Sequence, residues 1–231
     1  MKTISALPYE YDLPNDTENL ALLIIGMQRD LIEPGGFGAI LGNDVTPVQE
    51  IIPTVKQVLE SFRALNLPVI YIVEGHQPDL SDCPISKQNR VKGDLNIGDV
   101  GPLGRVLVLG EPGTEIISDL EPLPGELVIS KPGKGAFFGS DLEDVLQTRG
   151  ISHLIVTGIT TEVGVQTTMR EANDRGYECL LIEDATSSYF PEFKQICLEM
   201  IRAQGGIVGW TATAEQVIHG LNQWKQSQVL A

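Results

Sequence analysis

LIVTGITTEVGVQTTMREANDRGYECLLIEDAT, from Leu154 to Thr186, reads as a strand, a helix and a second strand in one stretch. It opens on the apolar run Leu154–Thr157, passes through a helical segment from Glu162 to Gly176, and closes on Leu180–Glu183. Short Val/Ile/Leu runs with no polar alternation suit strands buried on both faces of a parallel sheet. A helix joining two such strands implies a right-handed crossover.

The same alternation extends outward in both directions. Further strand-like runs are Ala21–Ile25, Val69–Val73 and Leu127–Ser130, with Ile207–Trp210 shorter. Between them, Thr46 with Gln49 fits a capping box ahead of the stripe Val48, Ile51, Ile52, Val55, Val58, Leu59 and Phe62, and Pro53 predicts a kink or a later start. Ser140 with Glu143 fits a second box, Pro191 to Gln204 a helix closed by Gly205, and Thr213 with Gln216 the last helix start. This pattern predicts an α/β fold: a three-layer, doubly wound, mostly parallel, Rossmann-like sheet. Residues 1–19 read as an irregular arm and 20–231 as one domain, interrupted over about 77–125 by a Gly-, Pro- and Asp-rich insertion or lid.

Composition narrows the function. Lys and Arg total 16 against 31 Asp and Glu, a net charge of −15, which repels nucleic acid and anionic membranes. Cys83, Cys179 and Cys197 are too far apart for a CxxC zinc pattern or a disulfide framework. No signal peptide or spanning apolar run is evident, so the expectation is a cytoplasmic protein with no metal and no cofactor.

Ligands in open α/β sheets bind at the carboxyl ends of the strands. The residues there are Gly26-Met27-Gln28-Arg29-Asp30, Glu74-Gly75-His76, Lys131 through Phe138, and Gly158 through Val165. ALLIIGMQRD, VISKPGKGAFFGSDL and GITTEVGVQTTMREANDRGYECLLIEDAT, in that order, resemble the three motifs of the isochorismatase-like cysteine hydrolases from about Leu20 to Leu221. EGHQPDLSDCP, GDVGPLGR, GEPG and MREANDRGYECLLIEDATSSYF resemble the biuret and ureido amidohydrolases of that family.

The resemblance implies a Cys nucleophile on an elbow, an Asp base and a Lys that holds charge and helps the leaving amine. A thiolate of that kind needs a lowered pKa, and its oxyanion needs backbone donors. Carried over by position, Lys131 keeps the lysine, Gly26 stands where the Asp is expected and Gly164 where the Cys is expected. The implied oxyanion donors are the amides of Thr160 and Gly164, with a cis peptide between Ile159 and Thr160. Glycine supplies neither nucleophile nor base, so the resemblance implies a pseudoenzyme.

Other residues keep two readings. Lys134 competes with Lys131 as the pocket lysine. His76, Phe137 and Gln204 are candidate substrate contacts; equally, His76 fits a hydrogen-bonded structural residue, Phe137 core, and Gln204 a helix terminus. Glu162 fits a substitute base or a dipole-favouring helix residue. A Lys131 deprived of its carboxylate would draw a small anion or ordered waters between Gly26, Lys131 and Gly164. Three functions follow: an inactive protein that binds a small anion, amide or ureido compound; an active amidohydrolase whose Asp and Cys have been deliberately replaced; or a structural or partner subunit. The resemblance also implies a homodimer or homotetramer.

Overall fold

The computed structural model describes residues 2–90 and 95–229. Six strands form one sheet: β1 (Leu20–Ile25), β2 (Val69–Glu74), β3 (Leu127–Lys131), β4 (His153–Ile159), β5 (Glu178–Ser187) and β6 (Trp210–Ala212). All neighbours pair in parallel, in the order β6-β5-β4-β1-β2-β3. The principal helices are α1 (Ile52–Ala64), α2 (Leu142–Thr148), α3 (Gln166–Asp174), α4 (Pro191–Gly206) and α5 (Ala214–Val229).

Strand β1 shows why the sheet is buried on both faces. Its side chains alternate. Leu20, Leu22 and Ile24 enter one core with Val55, Val58, Leu59 and Phe62 of α1 and Val217, Leu221 and Trp224 of α5. Ala21, Leu23 and Ile25 enter the other with Leu142, Leu146, Met169, Ala172, Leu198 and Ile201. The chain winds outward from β1 to β3, then returns to β4 on the other side of β1. The point where strand order reverses therefore lies between β1 and β4, and their carboxyl ends diverge into a crevice.

Some local expectations are corrected and others hold. The N-terminal arm is ordered: Thr3–Ile4 pairs antiparallel with Tyr11–Asp12, and Ile4, Tyr11 and Leu13 are buried in the first core. Pro53 falls in the first turn of α1, where its missing N–H costs nothing, so the helix starts late instead of kinking. Thr46 and Gln49 form no box, since Gln49 Nε2 donates to Ile32 O at 2.9 Å. Ser140 is no reciprocal cap either; its hydroxyl turns back to Ala136 O and Asp141 precedes α2. Thr213 and Gln216 do form the box, with Thr213 N donating to Gln216 Oε1 at 2.8 Å and Gln216 N to Thr213 Oγ1 at 3.3 Å. The last strand begins at Trp210 rather than Ile207, because α4 loses helical angles at Ala203, Gln204 and Gly205 and leaves Ile207 exposed.

The described part of the insertion folds against the crevice. Asp30, buried just after β1, accepts from Leu107 N at 2.9 Å. His76 and Val108 form a bridge, as do Gln28 and Ile116. The insertion is thus pinned to the ends of β1 and β2.

Candidate active site

A cavity of about 330 Å³ opens at the reversal point. Gly26 follows β1, Glu74, Lys131 and Ile159 end β2, β3 and β4, and Thr160, Glu162, Val163 and Gly164 follow β4; all of them line it, as does Lys134. The remaining wall is largely apolar, with Leu31, Phe37, Leu41, Val163 and Phe190.

The carboxyl ends of β1 and β2 are locked together by one side chain. Gln28 is fully buried, donates from Nε2 to Glu74 O at 2.9 Å and accepts from Glu74 N at 2.7 Å. This two-way amide clamp fixes Glu74 at the cavity wall. Three ammonium groups converge on its carboxylate: Lys134 at 2.8 Å, Lys87 at 3.0 Å and Lys131 at 3.3 Å. Burial alone would raise the Glu74 carboxyl, but Lys131, Lys134 and Lys87 together hold it at about 2. Burial holds the Lys131 ammonium below the ordinary lysine range, even with Glu74 beside it.

Lys131 is therefore paired, which overturns the expectation that it lacks a carboxylate. It also donates to Gly133 O at 2.8 Å. Lys134, half exposed, reaches the same carboxylate, so the rival lysines act at one place. What remains is an imbalance: three ammoniums on one carboxylate. Beyond Lys87 the network continues into His76, whose Nε2 lies 2.9 Å from Lys87 Nζ and whose Nδ1 lies 3.2 Å from Asp82 Oδ1. Lysine can only donate, so His76 Nε2 accepts and its proton sits on Nδ1. Burial, then Lys87, lower the His76 pKa and keep the ring neutral.

The opposite corner is built around two glycines. Gly26 has φ of 67°, and a Cβ there would lie 2.6 Å from Ile159 O. A Cβ on Gly164 would lie 3.2 Å from the same oxygen and 3.4 Å from Ile25 Cγ2, at no unusual φ. The Ile159 carbonyl thus stands beside both glycines, and the Ile159–Thr160 peptide is cis. After it, Thr161–Val165 forms a wide helical turn with π geometry, in which Val163 N and Val165 N both donate to Thr160 O at 3.1 and 3.2 Å. Thr160 and Gly164 both line the cavity.

Other candidates lie elsewhere. His76 is buried in the lysine network behind the wall. Phe137 packs in the second core, 5.8 Å from the Tyr177 ring and under the Arg175 guanidinium. Gln204 sits at the irregular end of α4, beside a different surface pocket. None of these three lines the cavity, because each is held by packing or helix geometry on another element. Cys83, Cys179 and Cys197 are buried and also absent from its lining. Tyr189 lines it, but its hydroxyl donates to Leu31 O at 2.6 Å, and burial, then Glu162, Asp30 and Glu74, push its pKa up.

Residue reading placed Glu74 and Gln28 at strand ends but gave neither a role. Glu74 stood at a strand end beside His76, and a carboxylate ending a strand across from a lysine-ending strand was the available signal. Gln28 had none, since its partners are backbone atoms of a residue 46 positions away.

Comparisons with known proteins agree with this architecture. The isochorismatase domain model matches residues 20–215. The ureidoacrylate amidohydrolase RutB of Caulobacter segnis is 32% identical over 194 residues, covering 79% of this chain and 78% of that protein. A cysteine hydrolase from Pseudomonas syringae pv. phaseolicola superposes with a TM-score of 0.77 at 22% identity, over 92% of this chain and 97% of the other. N-carbamoylsarcosine amidase from Thermoplasma acidophilum superposes with a TM-score of 0.64 at 22% identity, over 85% and 97% of the two chains.

Proposed function

The chain belongs to the isochorismatase family, and we propose that it is a catalytically silent relative of the C–N amide hydrolases that binds a small ligand. The ligand's acidic or carbonyl end turns toward Lys131 and Lys134. One observation carries this reading: the cavity keeps its lysines but has bare backbone at Gly26 and Gly164. Its lining contains no thiol among the described residues. Acyl transfer to an enzyme needs a nucleophile and a base in reach of one another, and neither position supplies one. The similarity to a ureidoacrylate amidohydrolase supports amide or ureido compounds, or the acids they release, as ligands.

The purified chain is expected to release no ammonia above background from ureido acids, biuret or simple amides; saturable turnover would overturn the reading. Calorimetry with acetate or bicarbonate should detect binding that Lys134→Ala weakens several-fold. Lys134 is the better probe because its side chain is 53% exposed against 2% for Lys131, so its removal spares the fold.

Self-association as a homodimer or homotetramer is supported by α4, where Phe193, Ile196 and Met200 are spaced along one helical face and exposed by 43%, 48% and 48%. Light scattering at micromolar concentration tests it, and a monomer there would remove it.

A further inference from the structure

Glu162 is a charged group of the cavity that the proposed function leaves unused. It lines the wall between Thr160 and Gly164, across the crevice from the lysines. Its Oε2 is buried with no hydrogen-bond partner, and no ion pair among the described residues includes it. Its charge acts on Tyr189 and Cys197, neither of which is a cation. The Tyr189 hydroxyl is already spent on Leu31 O. A buried carboxylate oxygen without a donor is costly, and such atoms are rare unless something absent from the chain itself fills the gap.

We infer that Glu162 is the recognition group for a cationic or N–H-rich end of the ligand, so that the cavity selects small zwitterions: an amino or amidine group at Glu162, an apolar spacer along Leu31, Phe37 and Val163, and an acid group at Lys131 and Lys134. The inference rests on the ligand-binding reading of the same cavity. Both ends are met by opposite charge, and the spacer meets apolar wall. A plain carboxylate would satisfy the lysines but leave Glu162 without a donor. A plain amine would satisfy Glu162 and face the surplus ammoniums around Glu74.

The test is calorimetry with matched pairs: glycine, β-alanine and 4-aminobutyrate against acetate, propionate and butyrate, plus butylamine. In the wild type, at least one amino acid should bind about tenfold or more tighter than its matching carboxylate, the usual effect of one charged hydrogen bond. Glu162→Gln should erase that preference and leave carboxylate affinity within about twofold. Glu162→Asp, which keeps the charge, should retain part of it; thermal unfolding of both variants confirms that they fold. Equal affinity within every pair, or a preference that survives Glu162→Gln, overturns the role of Glu162 while leaving anion binding intact. Butylamine binding that Glu162→Gln abolishes, without carboxylate binding, would keep Glu162 and remove the lysine reading. No binding by any probe removes both.

Discussion

Two corners of one cavity, formed by strand ends of the same sheet, have been built in opposite ways. At the ends of β2 and β3, one carboxylate holds three ammoniums within 3.3 Å, and a buried glutamine fixes that carboxylate from behind. At the ends of β1 and β4, two glycines stand beside one carbonyl oxygen, and the charged side chain on that wall is Glu162. The charged corner is held by the one carboxylate its ammoniums share, so Glu74 is the member whose loss would leave them unpaired. The glycine corner owes its shape to backbone geometry, most tightly at Gly26, where a side chain would meet the Ile159 carbonyl. On the reading proposed above, the contrast is between a corner that keeps its lysines and one whose two glycines offer neither nucleophile nor base.

The largest effect expected from this contrast is at Glu74. Glu74→Ala leaves three ammoniums facing one another, one of them buried, and should cost roughly 3–5 kcal/mol in urea unfolding. A loss under about 1 kcal/mol would mean that the lysines pair elsewhere and that the charged corner is not a unit.

Acid titration sharpens the same point. Glu74 is held at about 2 in the fold against an ordinary 4.5. A depressed carboxyl contributes stability that is fully present above the unfolded value and is lost as pH falls through the folded one. The loss should therefore run from about pH 4.5 down to about 2, and reach on the order of 3 kcal/mol. Glu74→Gln cannot ionise, so its stability curve should lack this component. Parallel curves for the two proteins over that window would sink the assignment.

The glycine corner shows how much a sequence can and cannot disclose. The strand-helix alternation predicted the sheet, because it depends only on local pattern and chain direction; the family resemblance then singled out Gly26, Lys131, Thr160 and Gly164 among the strand-end residues, and all four line one cavity. The pairing of Lys131 was not legible: Glu74 lies 57 positions away, and only the β2–β3 register, Glu74 opposite Lys131, brings them together. For His76, Phe137 and Gln204 the structural reading held and the substrate-contact reading did not, for a related reason. A polar or aromatic residue at a strand or helix end is a pocket candidate by position, but which way it faces depends on neighbours distant in the chain. The ordered arm hid in the same way, since Ile4 and Tyr11 have no periodic run to announce them and are buried by α5 and Trp210 instead.

At Gly26 a smaller but definite penalty is expected. The residue has φ of 67°, and an added Cβ would lie 2.6 Å from Ile159 O. Gly26→Ala should therefore lose roughly 2–3 kcal/mol, from left-handed backbone cost plus the shift forced on that carbonyl. Gly26→Asp should lose somewhat less, because aspartate tolerates positive φ better than alanine. A neutral Gly26→Ala in chemical denaturation would show that the corner yields easily and is not shaped by its backbone.

Gly164 should give the smallest effect and the clearest separation of the two glycines. Its φ is unexceptional, and a Cβ would sit 3.2 Å from Ile159 O and 3.4 Å from Ile25 Cγ2. Those contacts ask the neighbours to give by a few tenths of an ångström, whereas the contact at Gly26 is with backbone and far closer. Glycine also carries an entropic cost inside helical turns that any side chain relieves by roughly 0.5–1 kcal/mol. The two terms oppose, so Gly164→Cys should stay within about 1 kcal/mol of the wild type. Its thiol would line the cavity, whereas Cys83, Cys179 and Cys197 are 4%, 1% and 5% exposed. Brief iodoacetamide treatment should then add one carbamidomethyl group to Gly164→Cys and none to the wild type, read by intact-mass spectrometry. Without a base at position 26 the variant should still release no ammonia from amides; the double variant with Gly26→Asp should regain some hydrolysis at the expense of stability, since nucleophile and base act as a unit. A Gly164→Cys thiol that resists alkylation in a folded protein would mean that the elbow points away from the cavity, and the likeness of the two corners to a dismantled hydrolase site would fail with it.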